Sequence, residues 1–236
     1  MKHFPVVHFS EYSRFTTNHI ETGGYQLTER VHPEFGTWKQ RSMDLGHMIV
    51  TEHQANLTRE VGVLFDDGSL KEYVHHCQSL GGIMGTRFED HKIQARLTPQ
   101  TFHSLFIPGD MYQFSMTPSF TNIHIAIRRS HYVELLNESE KWSAEMREKI
   151  LNNLIHYSGE MALTPHMAQI IQSIFNSPLS GSLKKLLIEA QLHELVALQL
   201  HAAIETDQKP QDLKKKLTRS SSFGITLTRP FWKNIH

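Results

Sequence analysis

The sequence predicts an α+β protein in which an N-terminal antiparallel β-barrel is followed by an α-helical segment. Three observations predict it. Short runs of β-favouring residues separated by turn residues fill the chain as far as about Ile127. From Trp142 onward, apolar residues recur at spacings of three and four. With 39% apolar and 20% charged residues over 236 positions, the chain can bury a real core without staples. The boundaries follow as a barrel over 1–129, helices over 130–205 and a polar tail, expected to be disordered, over 206–236.

Turn signals in the first part are Gly23-Gly24, His32-Pro33, Asp66-Asp67-Gly68-Ser69, Gly81-Gly82 and Ile107-Pro108-Gly109-Asp110. Between them the clearest strands are Met48 to Thr51, Val61 to Phe65 and Thr121 to Ile127. The last alternates at period two, which puts Ile123, Ile125 and Ile127 on one face. Strands this short and this closely spaced form either a sandwich or a small barrel.

After Arg129 the pattern becomes helical. Ser130 can cap a short helix through Leu136. Trp142, Met146, Ile150, Leu151, Leu154 and Ile155 then form the apolar stripe of a second helix. A third opens with Thr164 as N-cap and Pro165 at the first helical position. It lines up Met167, Ile170, Ile171, Ile174 and Phe175 before Asn176-Ser177-Pro178 stops it. The fourth, from about Ser182 to Ile204, is apolar on nearly every side, so it must be covered on nearly every side. A second copy of the chain is expected to supply part of that cover, at Leu187, Ile188, Leu192, Leu195 and Leu198. The alternative is a helix buried within one chain.

Composition narrows the function classes. Lys plus Arg and Asp plus Glu both number 24, which argues against a dedicated nucleic-acid surface with its basic excess. Cys77 is the lone cysteine, so no intrachain disulfide can form and a reducing cytoplasmic setting is expected. Nothing resembles a signal peptide or a run of about 20 apolar residues that could span a membrane. The 17 histidines look scattered, as in a general compositional bias.

Several strings resemble the AraC family of bacterial transcription regulators, in particular members with a cupin-like sensor barrel of the siderophore-regulator type. They are Leu163-Thr164-Pro165-His166-Met167, the run from Ile174 to Gly181 and the run from Leu187 to Leu200. The likeness extends over roughly Phe15 to Ile204. Ser104 to Tyr112, with Pro108-Gly109 as its turn, is similar to the second cupin motif.

The resemblance implies a cupin-like barrel that binds a small-molecule effector, with an iron chelate as one class, and a homodimer formed through the C-terminal helices. Phe65, Phe106, Tyr112, Phe114 and His124 are the candidate ligand-binding residues near the cupin-like strands. The family's output domain holds two helix-turn-helix units, and too few residues follow Pro210 to hold them. Frameshift, truncation and a natural short form stay open, and DNA contact is expected only where such a domain is present in the full gene or in a partner.

A cupin-like metal-dependent enzyme is the alternative. No His-x-His pair is present, Tyr112 or Gln113 stands where a late histidine is expected, and the adjacent His75 and His76 point to opposite faces of a strand. No Gly-rich phosphate loop or nucleophile elbow is visible. Neither a catalytic residue, a metal ligand nor a cofactor is therefore assigned, and the expected function is effector sensing and dimerisation.

Overall fold

The computed structural model describes residues 4–66, 68–91, 93–109 and 111–208. The first two thirds are strands: β1 (Val6–His8), then a short α1 (Phe9–Tyr12), β2 (Thr16–Thr22), β3 (Tyr25–His32), β4 (Gly36–Asp44), β5 (Met48–Leu57), β6 (Val61–Phe65) and β7 (Tyr73–Gly81). They continue with β8 (Met84–Phe88), β9 (Ile93–Leu97), β10 (Thr101–Phe106), β11 (Tyr112–Met116) and β12 (Ser119–Arg128). Helices α2 (Arg129–Leu135) and α3 (Lys141–Leu151) come next, then the two-residue strands β13 (His156–Tyr157) and β14 (Met161–Ala162). Helices α4 (Pro165–Asn176) and α5 (Gly181–Gln208) complete the described chain. This is an α+β fold, as the sequence predicts, and all three of the clearest expected strands are present.

Two sheets face each other. One runs β1-β6-β11-β8-β9; the other runs β13-β10-β7-β12-β5-β4-β3-β2, with β14 also paired to β10. Among the described residues only β1 with β6 is parallel; the remaining ladders are antiparallel. Gly23 and Gly24, at φ 56° and 82°, make the two-residue turn from β2 to β3, where both central residues need positive φ. Gly82 has a second reason to be glycine, since a Cβ there would lie 2.1 Å from the Ser119 carbonyl oxygen.

The centre of the larger sheet, β7, β10 and β12, is largely buried on both faces while edge strand β2 is exposed, and period-two alternation sorts the side chains. Met43, Met48, Val50, Val74, Phe102, Phe106, Ile123, Ile125 and Ile127 point to the helices and join the α4 and α5 stripes in one core. Trp38, Ala55, Cys77 and Phe120 point the other way and pack with Val61, Val63, Met84 and Met116 of the smaller sheet. The shared face of Ile123, Ile125 and Ile127 is thus the helix-covered one.

Helix α4 begins as its sequence dictates. The Thr164 hydroxyl accepts from the Met167 amide at 3.2 Å, and Pro165 occupies the first turn. Its far end is closed by the sheet: the Tyr25 hydroxyl donates to the Ile174 carbonyl at 2.6 Å, and Arg41 donates to that of Phe175 at 3.2 Å. Arg41 is held in place by Glu52, 2.7 Å away.

The helical expectations need correction at several points. Arg128 is the N-cap residue of α2, not Ser130, because β12 runs directly into the helix and its last extended residue takes that position. Helix α3 stops at Leu151 rather than carrying Leu154 and Ile155. Asn153 turns left-handed at φ 54°, the Asn153 amide bonds Ile150 O at 3.2 Å and the Leu154 amide bonds Lys149 O at 2.8 Å, which is a Schellman cap. Leu154 and Ile155 consequently stay exposed, at 53% and 38%.

Helix α5 continues to Gln208, past the expected end at Ile204; the rest of the tail, 209–236, lies outside the described residues. Of the five residues expected to meet a second copy, Ile188, Leu192 and Leu195 are fully buried in the chain's own core, because this helix lies on the sheet face. Leu187 and Leu198 are half-buried. The apolar residues that α5 leaves outside are Leu183 and Leu186, at 64% and 66% exposure.

Candidate functional site

The two sheets enclose a cavity of about 220 Å³. Its apolar wall is Phe9, Trp38, Phe65, Leu70, Met84, Phe88, Leu105, Tyr112 and Phe114, and its polar groups are Gln40, Thr51, His53, His75, Cys77, Thr86, Asn122 and His124. The larger sheet supplies most of the polar side through the inward positions of β4, β5, β7 and β12. The aromatic side is ordered by stacking: Tyr112 lies on Phe65 with centroids 4.8 Å apart and planes within 4°, and Phe65 lies on Phe9 at 4.6 Å.

The histidines of this wall are held neutral. His75 Nδ1 and His124 Nε2 are 2.9 Å apart, so one ring donates and the other accepts. Burial and the neighbouring His124 push His75 down to about 3, and burial and the same neighbour push His53 down to about 3. Burial alone brings His124 to about 4. The Cys77 thiol is pushed up to about 12 by burial, which makes it an inert thiol rather than a nucleophile. The Gln40 amide donates to His53 Nδ1 at 3.3 Å and its carbonyl oxygen accepts from Arg30, a buried guanidinium lying 5.6 Å from the Trp38 ring centre. The result is an uncharged, aromatic pocket with a cation behind one wall.

The structure brings four of the five sequence-derived candidates, Phe65, Tyr112, Phe114 and His124, onto this cavity. Phe106 is the exception. In β10 it shares the helix-facing side with Phe102, while its neighbour Leu105 takes the cavity position. Sequence reasoning missed His53, His75, Trp38 and Thr51. The alternation of β5 from Thr51 to His53, and the opposed faces of His75 and His76, carried that signal. Scatter is also the wrong description of the histidines: several converge here although they come from different strands.

Adjacent residues of β7 serve the two faces of the larger sheet. His75 touches the cavity, while His76 Nδ1 donates to Gln199 Oε1 of α5 at 2.8 Å, with both side chains deeply buried. Strand β7 therefore touches both the cavity and α5.

Comparison with known proteins finds one family model over part of the chain and distant solved structures. Residues 119–217 match the family described as regulatory protein PchR N-terminal domain, a span that takes in β12 and every helix from α2 onward. A search of curated proteins gave no match. Among solved structures, the AraC-like transcriptional activator CuxR aligns at 10% identity with a TM-score of 0.48, over 75% of this chain and 61% of that one. An apo ToxT variant from Vibrio cholerae aligns at 9% identity and a TM-score of 0.40, over 80% and 69% of the two chains. The Schizosaccharomyces pombe Cnp3 cupin domain aligns at 9% identity and 0.30, over 44% and 70%. The chain thus spans less than two thirds of the CuxR structure's length. Over residues 119–217 this chain is thus similar to the PchR N-terminal regulatory domain.

Proposed function

We propose that the cavity between the sheets is the effector pocket of a bacterial transcription regulator, and that occupancy is passed through β7 and β12 to helices α4 and α5. The observation that carries this reading is the back-to-back pair on β7, His75 on the cavity and His76 bonded to Gln199 of α5. A ligand that favours one arrangement of this strand shifts the helices with it.

The effector best matched to the pocket is a compact aromatic molecule with one or two hydrogen-bonding groups, such as a phenol or an aryl carboxylate. The cavity of about 220 Å³ is below the ~300–1,000 Å³ usual for drug-sized ligands. An iron chelate, the class suggested by the family resemblance, is larger and would have to open the sheets. The domain is read as non-catalytic and cytoplasmic; no helix among the described residues is long and apolar enough to cross a membrane. A homodimer is part of the proposal, with the second copy seated on Leu183 and Leu186 at the start of α5. DNA is contacted through a helix-turn-helix domain of the full protein or of its partner.

The test is a titration of Trp38 fluorescence in a background carrying Trp142→Phe and Trp232→Phe, with a panel of phenols, aryl carboxylates and ferric chelates. A binder is expected to give a saturable change that disappears in Thr86→Phe, which fills the cavity. Equal binding by Thr86→Phe and its parent would place the ligand elsewhere and sink the assignment.

A further inference from the structure

Away from the cavity, three histidines from distant parts of the chain converge where the sheet meets the helices. His47 ends the turn between β4 and β5, His131 sits in the first turn of α2, and His193 lies midway along α5. One ring nitrogen from each lies within 4.8 Å of the others. Ring centroids are 4.0 Å apart for His47 and His131, 5.7 Å for His131 and His193, and 6.2 Å for His47 and His193.

We propose that His47, His131 and His193 bind one divalent transition-metal ion of the zinc class, with the Glu189 carboxylate or a water as fourth ligand. The partners already present define which atoms are free. His193 Nδ1 donates to the Glu189 carbonyl at 2.8 Å, which fixes its tautomer and leaves the Nε2 lone pair for a metal. His131 Nδ1 faces the Glu134 carboxylate at 3.7 Å, and its Nε2 is buried without a partner. Nε2 of His47 likewise has no hydrogen-bond partner, although Glu189 Oε1 lies 3.1 Å away. A ligand imidazole whose second nitrogen is tied to a carboxylate or carbonyl is the usual outer-shell pattern of a zinc site.

The dimensions suit the ion. Tetrahedral zinc with bonds of about 2.0–2.1 Å sets its ligand atoms about 3.3 Å apart, close to the present His47 to Glu189 separation. The histidine nitrogens need to close by at most about 1.5 Å, within reach of small side-chain rotations. The side chains of His47 and His131 are 30% and 22% exposed, so an ion can enter from solvent. The bound ion would clamp the β4–β5 turn, α2 and α5 together, at the joint between barrel and helices.

The test uses untagged protein stripped of metal and titrated with Co²⁺, whose visible bands report tetrahedral coordination, followed by competition with Zn²⁺. We expect one equivalent per chain, displaced by zinc. In His131→Gln or His193→Gln, binding should be weaker by more than about 100-fold, while His124→Gln in the cavity binds as the parent does. X-ray absorption on the zinc-loaded parent should give three imidazole nitrogens and one oxygen, an outcome independent of how the variants fold. Absence of stoichiometric binding, fewer than three imidazoles, or loss on His124→Gln instead of His131→Gln would overturn the site.

Discussion

Acidification is the perturbation that this fold should tolerate least. Five histidines are held neutral by burial: His53, His75 and His103 are pushed down to about 3, and His76 and His124 to about 4. Unfolded, each regains a value near 6.5, so below that pH the unfolded chain binds protons that the folded chain refuses. The sign follows from linkage: a depressed native value gives stability that is complete above about pH 6.5 and is lost as pH falls towards about 3–4. Each such group removes up to about 1.4 kcal/mol per pH unit in that window. One unit into it, near pH 5.5, five of them together remove about 7 kcal/mol as an upper figure, against a whole-domain stability of about 5–15 kcal/mol.

Urea unfolding followed by circular dichroism from pH 8 to 4.5 measures this. The midpoint should be level above about pH 7, fall steeply below about 6.5 and reach loss of the native signal near pH 5. His103→Leu provides the internal control. His103 is fully buried with neither ring nitrogen partnered, so the substitution should stabilise the fold by about 1–3 kcal/mol and reduce the slope by about one proton. A midpoint that stays level between pH 7 and 5, or a slope unchanged in His103→Leu, would refute the reasoning.

Other outcomes follow from single contacts. Phe106→Ala should destabilise by about 3–5 kcal/mol in thermal unfolding yet leave effector affinity unchanged, since its ring faces the helices. Gln199→Leu strands the His76 ring and should lower stability by about 1–3 kcal/mol, while weakening any effector-induced change seen by hydrogen exchange in α5. Leu186→Glu should convert a sedimenting dimer to monomer without lowering the melting temperature, because the side chain lies outside the core. Thr164→Ala removes the α4 cap and should lower stability by about 1 kcal/mol.

Element types were legible wherever the signal is local. Period two identified β12, and Thr164-Pro165 marked the start of α4, because a strand's alternation and a helix cap depend only on near neighbours. The Schellman end of α3 was equally local, written in Asn152-Asn153, but the apolar residues beyond it mimicked a continuing stripe. The siting of Leu154 and Ile155 outside the core shows that helical spacing alone does not place a residue in a helix.

The sequence by itself determined that strands precede helices, that Ile123, Ile125 and Ile127 share a face, and that His75 and His76 oppose each other. It could not determine which face of a strand meets the cavity, because alternation fixes side chains only relative to their neighbours. Tertiary structure therefore decided that Phe114 lines the pocket while Phe106 does not, and that Ile188, Leu192 and Leu195 are covered by their own sheet. It also decided the meeting of His47, His131 and His193. No spacing rule links a turn and two helices so far apart in the chain; only the packing of α2 and α5 against the sheet brings them together.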